Sequence, residues 1–186
     1  TFVNGQETLA QETLEQGASI VYNGETPSKE ATAEFTYTFA GWSLTEGGEV
    51  VDLTKQTMKA NTTYYAVFSD TSVWDGTIPT LASSATVDSL FTKDSSGYYL
   101  IESATDLAEL SALSNGKNFG SGLKFKLMIN IDLSASNWLP ICDNDRSIGN
   151  WNSTYYGFSG TFEGNSKTIT YGTSTYTSTA LQVGLF

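Results

Sequence analysis

The chain has 186 residues, a formal net charge of -11 from 20 acidic and 9 basic residues, and no histidine. Eight of the nine basic residues are lysines and Arg146 stands alone, so the arginine forks and basic patches that read phosphate are missing. Nucleic acid and anionic membrane surfaces are therefore not expected partners, and with Cys142 as the only thiol a Ser-His-Asp triad, a Cys-His pair, an internal disulfide and a cysteine metal cluster are all excluded.

The composition is 39% hydrophobic, 13% aromatic and 16% charged, rich in Thr, Ser, Gly and Tyr, which suits short strands and polar turns. The length fits two small domains. No run of about 18 apolar residues is present, so no membrane-spanning helix is expected, and any export signal is expected outside this stretch.

Along the chain, "TFVNG" predicts an opening strand that stops at the hairpin-prone pair Asn4-Gly5. A second strand is expected around Leu9 to Gln16, a turn at Gly17 and a further strand at Ile20 to Tyr22. In "EFTYTFAGW" the residues Phe35, Tyr37 and Phe39 alternate with Thr36 and Thr38, the pattern of a half-buried strand. After Gly47-Gly48 comes a short excursion, a turn at Asn61 and a closing strand carrying Tyr64, Ala66 and Phe68.

The order of "TFVNG", Pro27, "YTFAGW" (37–42) and "NTTYYAVF" (61–68) resembles the Listeria–Bacteroides repeat, or internalin B-repeat, over residues 1–70. The segment "SKEATAEF" departs from that pattern by inserting residues before the Phe35 strand. The resemblance implies a small β-grasp-like module of extracellular bacterial proteins, found in tandem between a wall anchor and a binding head.

Residues 71–92 lose periodicity and gain Ser and Thr, and are expected as a junction. "GYYLIES" reads as a strand. Ser103 as N-cap, Asp106 at the third helical position and Gly116 as a stop predict one short helix over 104–114, with Leu107, Leu110 and Leu113 as core. In "LKFKLMINIDLS" every second residue from Leu123 to Leu133 is apolar, which predicts one long strand with a single buried face.

"FSGTFEGNSKTITY" (158–171) looks like a phosphate loop, but Ser166 precedes Lys167 where the motif needs Gly, and Thr161 stands where its first Gly belongs. The β-branched residues that follow disfavour the helix whose N-terminus would hold the phosphates. The expectation is two short strands about a Gly164-Asn165 turn, with Ile169 inward. With "NIDLS", "NWLPI" and "VGLF", this stretch resembles the GLUG-type surface repeats over about residues 96–186. That resemblance implies the start of a right-handed parallel β-helix in 93–186, capped by the 104–114 helix and continued in a longer parent protein whose next turns would cover its edge.

The expected fold is thus mainly β with one short helix: an N-terminal β-grasp-like module plus a C-terminal partial right-handed parallel β-helix.

Several side chains are candidates for chemistry. Asp143, Asn144 and Asp145 offer oxygen ligands of the kind Ca²⁺ takes, but EF-hand spacing is absent and a solvated insert explains them as well; no metal or cofactor is expected. Asp132 and Glu163 have the residue type of a glycosidase pair, or of ordinary solvated carboxylates. Trp151, Tyr155 and Tyr156, in a polar insert, either stack on a ligand or cap the core, and they are the candidate ligand-binding residues. Trp42, Trp74 and Trp138 are expected in the core. The sequons at Asn61 and Asn152 carry little weight.

The reading is a noncatalytic surface or secreted bacterial protein with an adhesion, stalk or display role. Its expected partners are a host matrix protein or glycan and neighbouring repeats of the parent chain. The alternative is a carbohydrate-active protein whose complete β-helix cleaves polysaccharide.

Overall fold

The computed structural model describes residues 1–115, 117–135, 138–142, 157–171 and 185. The fold is mainly β with few helices, and the chain divides into two compact units, Thr1–Asp70 and Thr71–Phe186.

In the first unit, β1 (Phe2–Asn4) and β2 (Glu7–Ala10) form an antiparallel hairpin in which Asn4 pairs with Glu7. Gly5 takes φ +58° at the turn, where an L side chain would be strained. β1 runs parallel to the start of β4 (Tyr64–Val73), placing Phe2 beside Tyr64, and β3 (Phe35–Ser43) also pairs with β4. Along β3 the residues Phe35, Tyr37 and Phe39 are half-buried while Thr36 and Thr38 are exposed, the alternation that a one-faced strand requires.

Four buried residues make the core of this unit: Phe2, Ile20, Trp42 and Tyr64. The Phe2 ring lies 4.7 Å from that of Trp42, edge-on, and 5.1 Å from that of Tyr64, stacked. Both are geometries that a ring quadrupole favours.

Two expected strands take another form. β2 ends at Ala10, and residues 11–18 carry no strand, their polar sequence offering no alternating face to bury. The Ile20–Tyr22 segment has no ladder beyond an isolated Ser19–Thr57 bridge. Ile20 is nevertheless tied down, its N–H donating to the Gln56 carbonyl at 3.2 Å while its side chain enters the core.

Among the described residues the ladders between strands of the second unit are parallel and fall into two rows, beside an isolated antiparallel bridge at Lys93–Tyr99. One row runs from β5 (Tyr99–Ile101) through β6 (Lys124–Leu127) to β8 (Thr161–Glu163). The other runs from Thr71–Val73, the end of β4, through β7 (Asn130–Leu133) to β9 (Ile169–Tyr171).

The expected single strand 123–134 is therefore two strands in different rows, with a corner at Met128–Ile129. The Met128 N–H closes the β5–β6 ladder on the Ile101 carbonyl at 2.9 Å, and three residues later the Ile131 N–H bonds the Thr168 carbonyl, also at 2.9 Å, in the other row. Alternation runs through the corner without a break, since Phe125, Leu127, Ile131 and Leu133 are all buried.

α2 (Ala104–Ser114) lies where the helix was expected, and the Ser103 hydroxyl accepts from the Asp106 N–H at 3.0 Å. A further orphan donor of its first turn, the Ala104 N–H, is satisfied by the buried Ser72 hydroxyl at 2.9 Å. Leu107, Leu110 and Leu113 are buried.

Residues 71–92, read from sequence as a junction, supply Trp74 and Phe91 to the same core. They also form a single-turn helix, α1 (Val87–Leu90), held by a Thr86–Ser89 capping box. Trp74 and Trp138 meet edge-on at 5.2 Å, and Trp42, Trp74 and Trp138 are all buried.

Candidate functional site

The expected binding residues Trp151, Tyr155 and Tyr156, and with them Asp143, Asn144 and Asp145, lie outside the described residues. The structure does define the two positions that bracket them. On the near side Cys142 is buried with φ +61°, and its N–H donates to the Ser114 hydroxyl at 3.0 Å. Ser111, one helical turn earlier, donates to the Leu139 carbonyl at 2.7 Å, so the C-terminal half of α2 grips the chain twice just before the insert. On the far side the Gly157 N–H donates to Asn118 Oδ1 at 3.0 Å, and the Phe119 N–H donates to the Gly157 carbonyl at 3.1 Å.

Burial pushes the Cys142 thiol upward. A thiol held in its neutral form is a poor nucleophile, which fits a packing role.

The glycine stretch that follows serves close packing. Phe158 bridges in parallel to Phe119, and the next residues bring Gly160 against Gly120. A Cβ on Gly160 would lie 2.6 Å from the Gly120 carbonyl oxygen and 2.9 Å from that of Leu123. The chain then forms β8, turns through Asn165 and Ser166, both at positive φ, and enters β9. In this corner the Asn165 amide donates to the Leu127 carbonyl at 3.1 Å, and the Thr168 N–H donates to Asn130 Oδ1 at 3.0 Å, tying it to the corner before it. The strand that follows Lys167 leaves no helix N-terminus for a phosphate.

Asp132 and Glu163 fall in different rows. Asp132 pairs across the ladder with Thr170, and its carboxylate accepts from the Ser134 N–H at 2.8 Å. Glu163 pairs with Lys126, whose ammonium lies 3.9 Å from its carboxylate. The two are not brought together by the strand register.

Glu163 instead belongs to a cluster on the β5–β6–β8 row that sequence reading did not find. Lys126 lies 3.4 Å from Asp94 and 4.6 Å from the centre of the Tyr98 ring, with Lys124 5.2 Å from the same ring. Asp94 accepts from the Tyr98 and Ser96 N–H groups, each at 2.9 Å. Those bonds, that of Tyr98 foremost, and the Lys126 ammonium hold its carboxyl below the usual carboxylate range. The cluster satisfies its own charges and leaves little to offer a ligand. Among the described residues no group of three or more His, Cys, Asp or Glu side chains is placed to hold a metal ion.

The first unit carries a cleft of about 330 Å³ that the sequence did not announce. Its floor is the buried face of Phe2, Ile20 and Tyr64, and its rim includes Gln11, Glu12, Thr13 and Asn61. The signal was weak because its walls come from the strandless 11–18 segment and from residues 58–62, which neither period nor motif links.

Comparison with known proteins returns no match to any family model, curated protein or solved structure.

Proposed function

We propose that this chain is a noncatalytic extracellular bacterial surface protein with an adhesion, stalk or display role. In this reading residues 1–70 are a β-grasp-like Listeria–Bacteroides repeat and residues 93–186 the start of a GLUG-type right-handed parallel β-helix. The observation that carries it is the stacking of parallel strands in two rows. Lys124 and Thr161 stand 37 residues apart, Ile131 and Ile169 38 apart, and Phe119 and Phe158 39 apart. These three pairs belong to one step of the rows, while in the step before it Tyr99 and Phe125 stand 26 residues apart and Thr71 and Asn130 59 apart. Stacked parallel rows are what the coils of a solenoid produce, and crossovers between parallel strands of one sheet are right-handed with few exceptions. Solenoids present extended surfaces, and loops on rigid scaffolds commonly carry recognition.

The partner class is a host matrix protein or a glycan, met by Trp151, Tyr155 and Tyr156. The test is binding to immobilised glycans and matrix proteins, with a Trp151→Ala, Tyr155→Ala, Tyr156→Ala variant alongside. Binding lost in the variant supports the reading, and silence of the parent chain across the panel removes this segment as a binding head. Release of reducing ends from a polysaccharide, abolished by Asp132→Asn or Glu163→Gln, would replace the reading with the carbohydrate-active one.

A further inference from the structure

The cleft of the first unit has a chemistry that the adhesive reading does not use. Its floor is apolar: Phe2 and Tyr64 are stacked and buried, Ile20 is buried beside them, and Met58 flanks them as a half-buried neighbour of that core. At about 330 Å³ it matches the lower end of the roughly 300–1,000 Å³ range of small-ligand sites, room for one or two side chains.

The rim is polar and in part spent, the Thr1 ammonium donating to the Thr62 carbonyl at 3.0 Å and the Thr62 hydroxyl to the Ala60 carbonyl at 2.9 Å. Gln11, Thr13 and Asn61 make no side-chain hydrogen bond among the described residues, and between them they present both donors and acceptors, as a peptide backbone requires. Glu12 is the one carboxylate of the lining and has no ion pair among the described residues.

The surroundings select the sign of the occupant. Residues 1–70 hold ten acidic side chains against three lysines, a net charge of -7 within the chain total of -11. One of those lysines, Lys55, is paired with Asp52 at 3.2 Å, and another, Lys29, lies 3.7 Å from the Tyr37 ring centre. Such a field draws cations and repels anionic ligands.

We propose that this cleft docks an extended basic peptide segment of a partner protein. One lysine of the partner lays its aliphatic stem on the Ile20–Met58 floor and sets its ammonium at Glu12, while the rim amides and hydroxyls hold the flanking backbone. A long cationic side chain suits the site because its stem is apolar and its head is charged. The proposal concerns the first unit alone and is independent of the Trp151, Tyr155 and Tyr156 insert, so a negative result with glycans leaves it intact.

The test uses the whole chain with methyl-labelled Leu, Ile, Val and Met, titrated with the peptide acetyl-Leu-Lys-Leu-amide and with the norleucine and glutamate versions of it. Saturable shifts are expected at Leu14, Ile20, Val21 and Met58 for the lysine peptide. Glu12→Gln is expected to weaken binding about tenfold, the loss of one charge-assisted contact, and 0.5 M salt to weaken it severalfold. Glu12 is exposed, so the variant keeps its fold, which the unshifted methyl spectrum of the free protein verifies.

Equal binding of the norleucine peptide would overturn the proposal in favour of an apolar ligand. Shifts scattered over the acidic surface and indifferent to Glu12→Gln would overturn it as unspecific charge attraction. No saturable shift at millimolar peptide would remove the site altogether.

Discussion

The two units bury their surfaces by different means. The first converges four side chains, three of them aromatic, on one point, whereas the second buries alternate side chains of β5, β6 and β7 along two parallel rows, in a core of 16 buried residues among those described. A converging core depends on each member. A repeated core spreads its dependence over many equivalent positions and instead makes heavy demands where backbones approach closely.

The largest test of that contrast is a pair of truncations. Trp42→Ala and Phe125→Ala each remove a buried ring, with an expected cost of about 3–5 kcal/mol by the usual cavity rule. Phe125 has ring neighbours in Phe91, Tyr99, Phe119 and Phe158, all within 6.3 Å. Hydrogen exchange should therefore show Trp42→Ala opening the first unit throughout, and Phe125→Ala loosening chiefly residues 91–127. Uniform opening of the second unit would break the contrast.

Gly160→Ala is the next test. Its Cβ meets two carbonyl oxygens under 3.0 Å, so backbones must move apart, at an expected cost of roughly 1–3 kcal/mol. Gly5→Ala meets no atom within 4 Å and is expected to cost only about 1 kcal/mol, from its left-handed backbone. Urea unfolding of the two variants separates close approach from backbone strain.

Ser111→Ala removes a donor from the half-buried Leu139 carbonyl, for an expected loss of about 1 kcal/mol, read from the denaturation midpoint.

The smallest effect is electrostatic. The Asp94 carboxyl is held below its ordinary value, so its contribution is present above the unfolded value of about 3.9 and lost as pH falls through the lower folded value. Asp94→Asn should lower Tm slightly at neutral pH, and the gap between variant and parent should close on acidification. A gap that widens in acid would reverse the sign assigned to this group.

How much of this was legible depended on how local the cause was. The α2 boundaries could be read because Ser103 and Asp106 act within one turn, and the buried face of 123–134 because alternation is a property of neighbours in sequence. The corner at Met128–Ile129 could not, since the chain turns without losing phase and only the change of ladder partners, from β5 and β8 to β4 and β9, reveals it. Gly160 was read only as a member of a short strand, and the reason for a glycine there is Gly120, 40 positions earlier. The cleft was hidden because its floor belongs to a core and its rim to a segment without periodicity. Phe91 was missed as core because residues 71–92 show no apolar period that would assign it a buried face.

The anchors on either side of the aromatic insert have a consequence for how such a chain can change. Cys142 is fixed to Ser114 and Gly157 to Asn118, so the 14 positions between them begin and end at set points whatever their sequence. The stretch can therefore be exchanged, by natural variation or by grafting an epitope, without touching either anchoring bond.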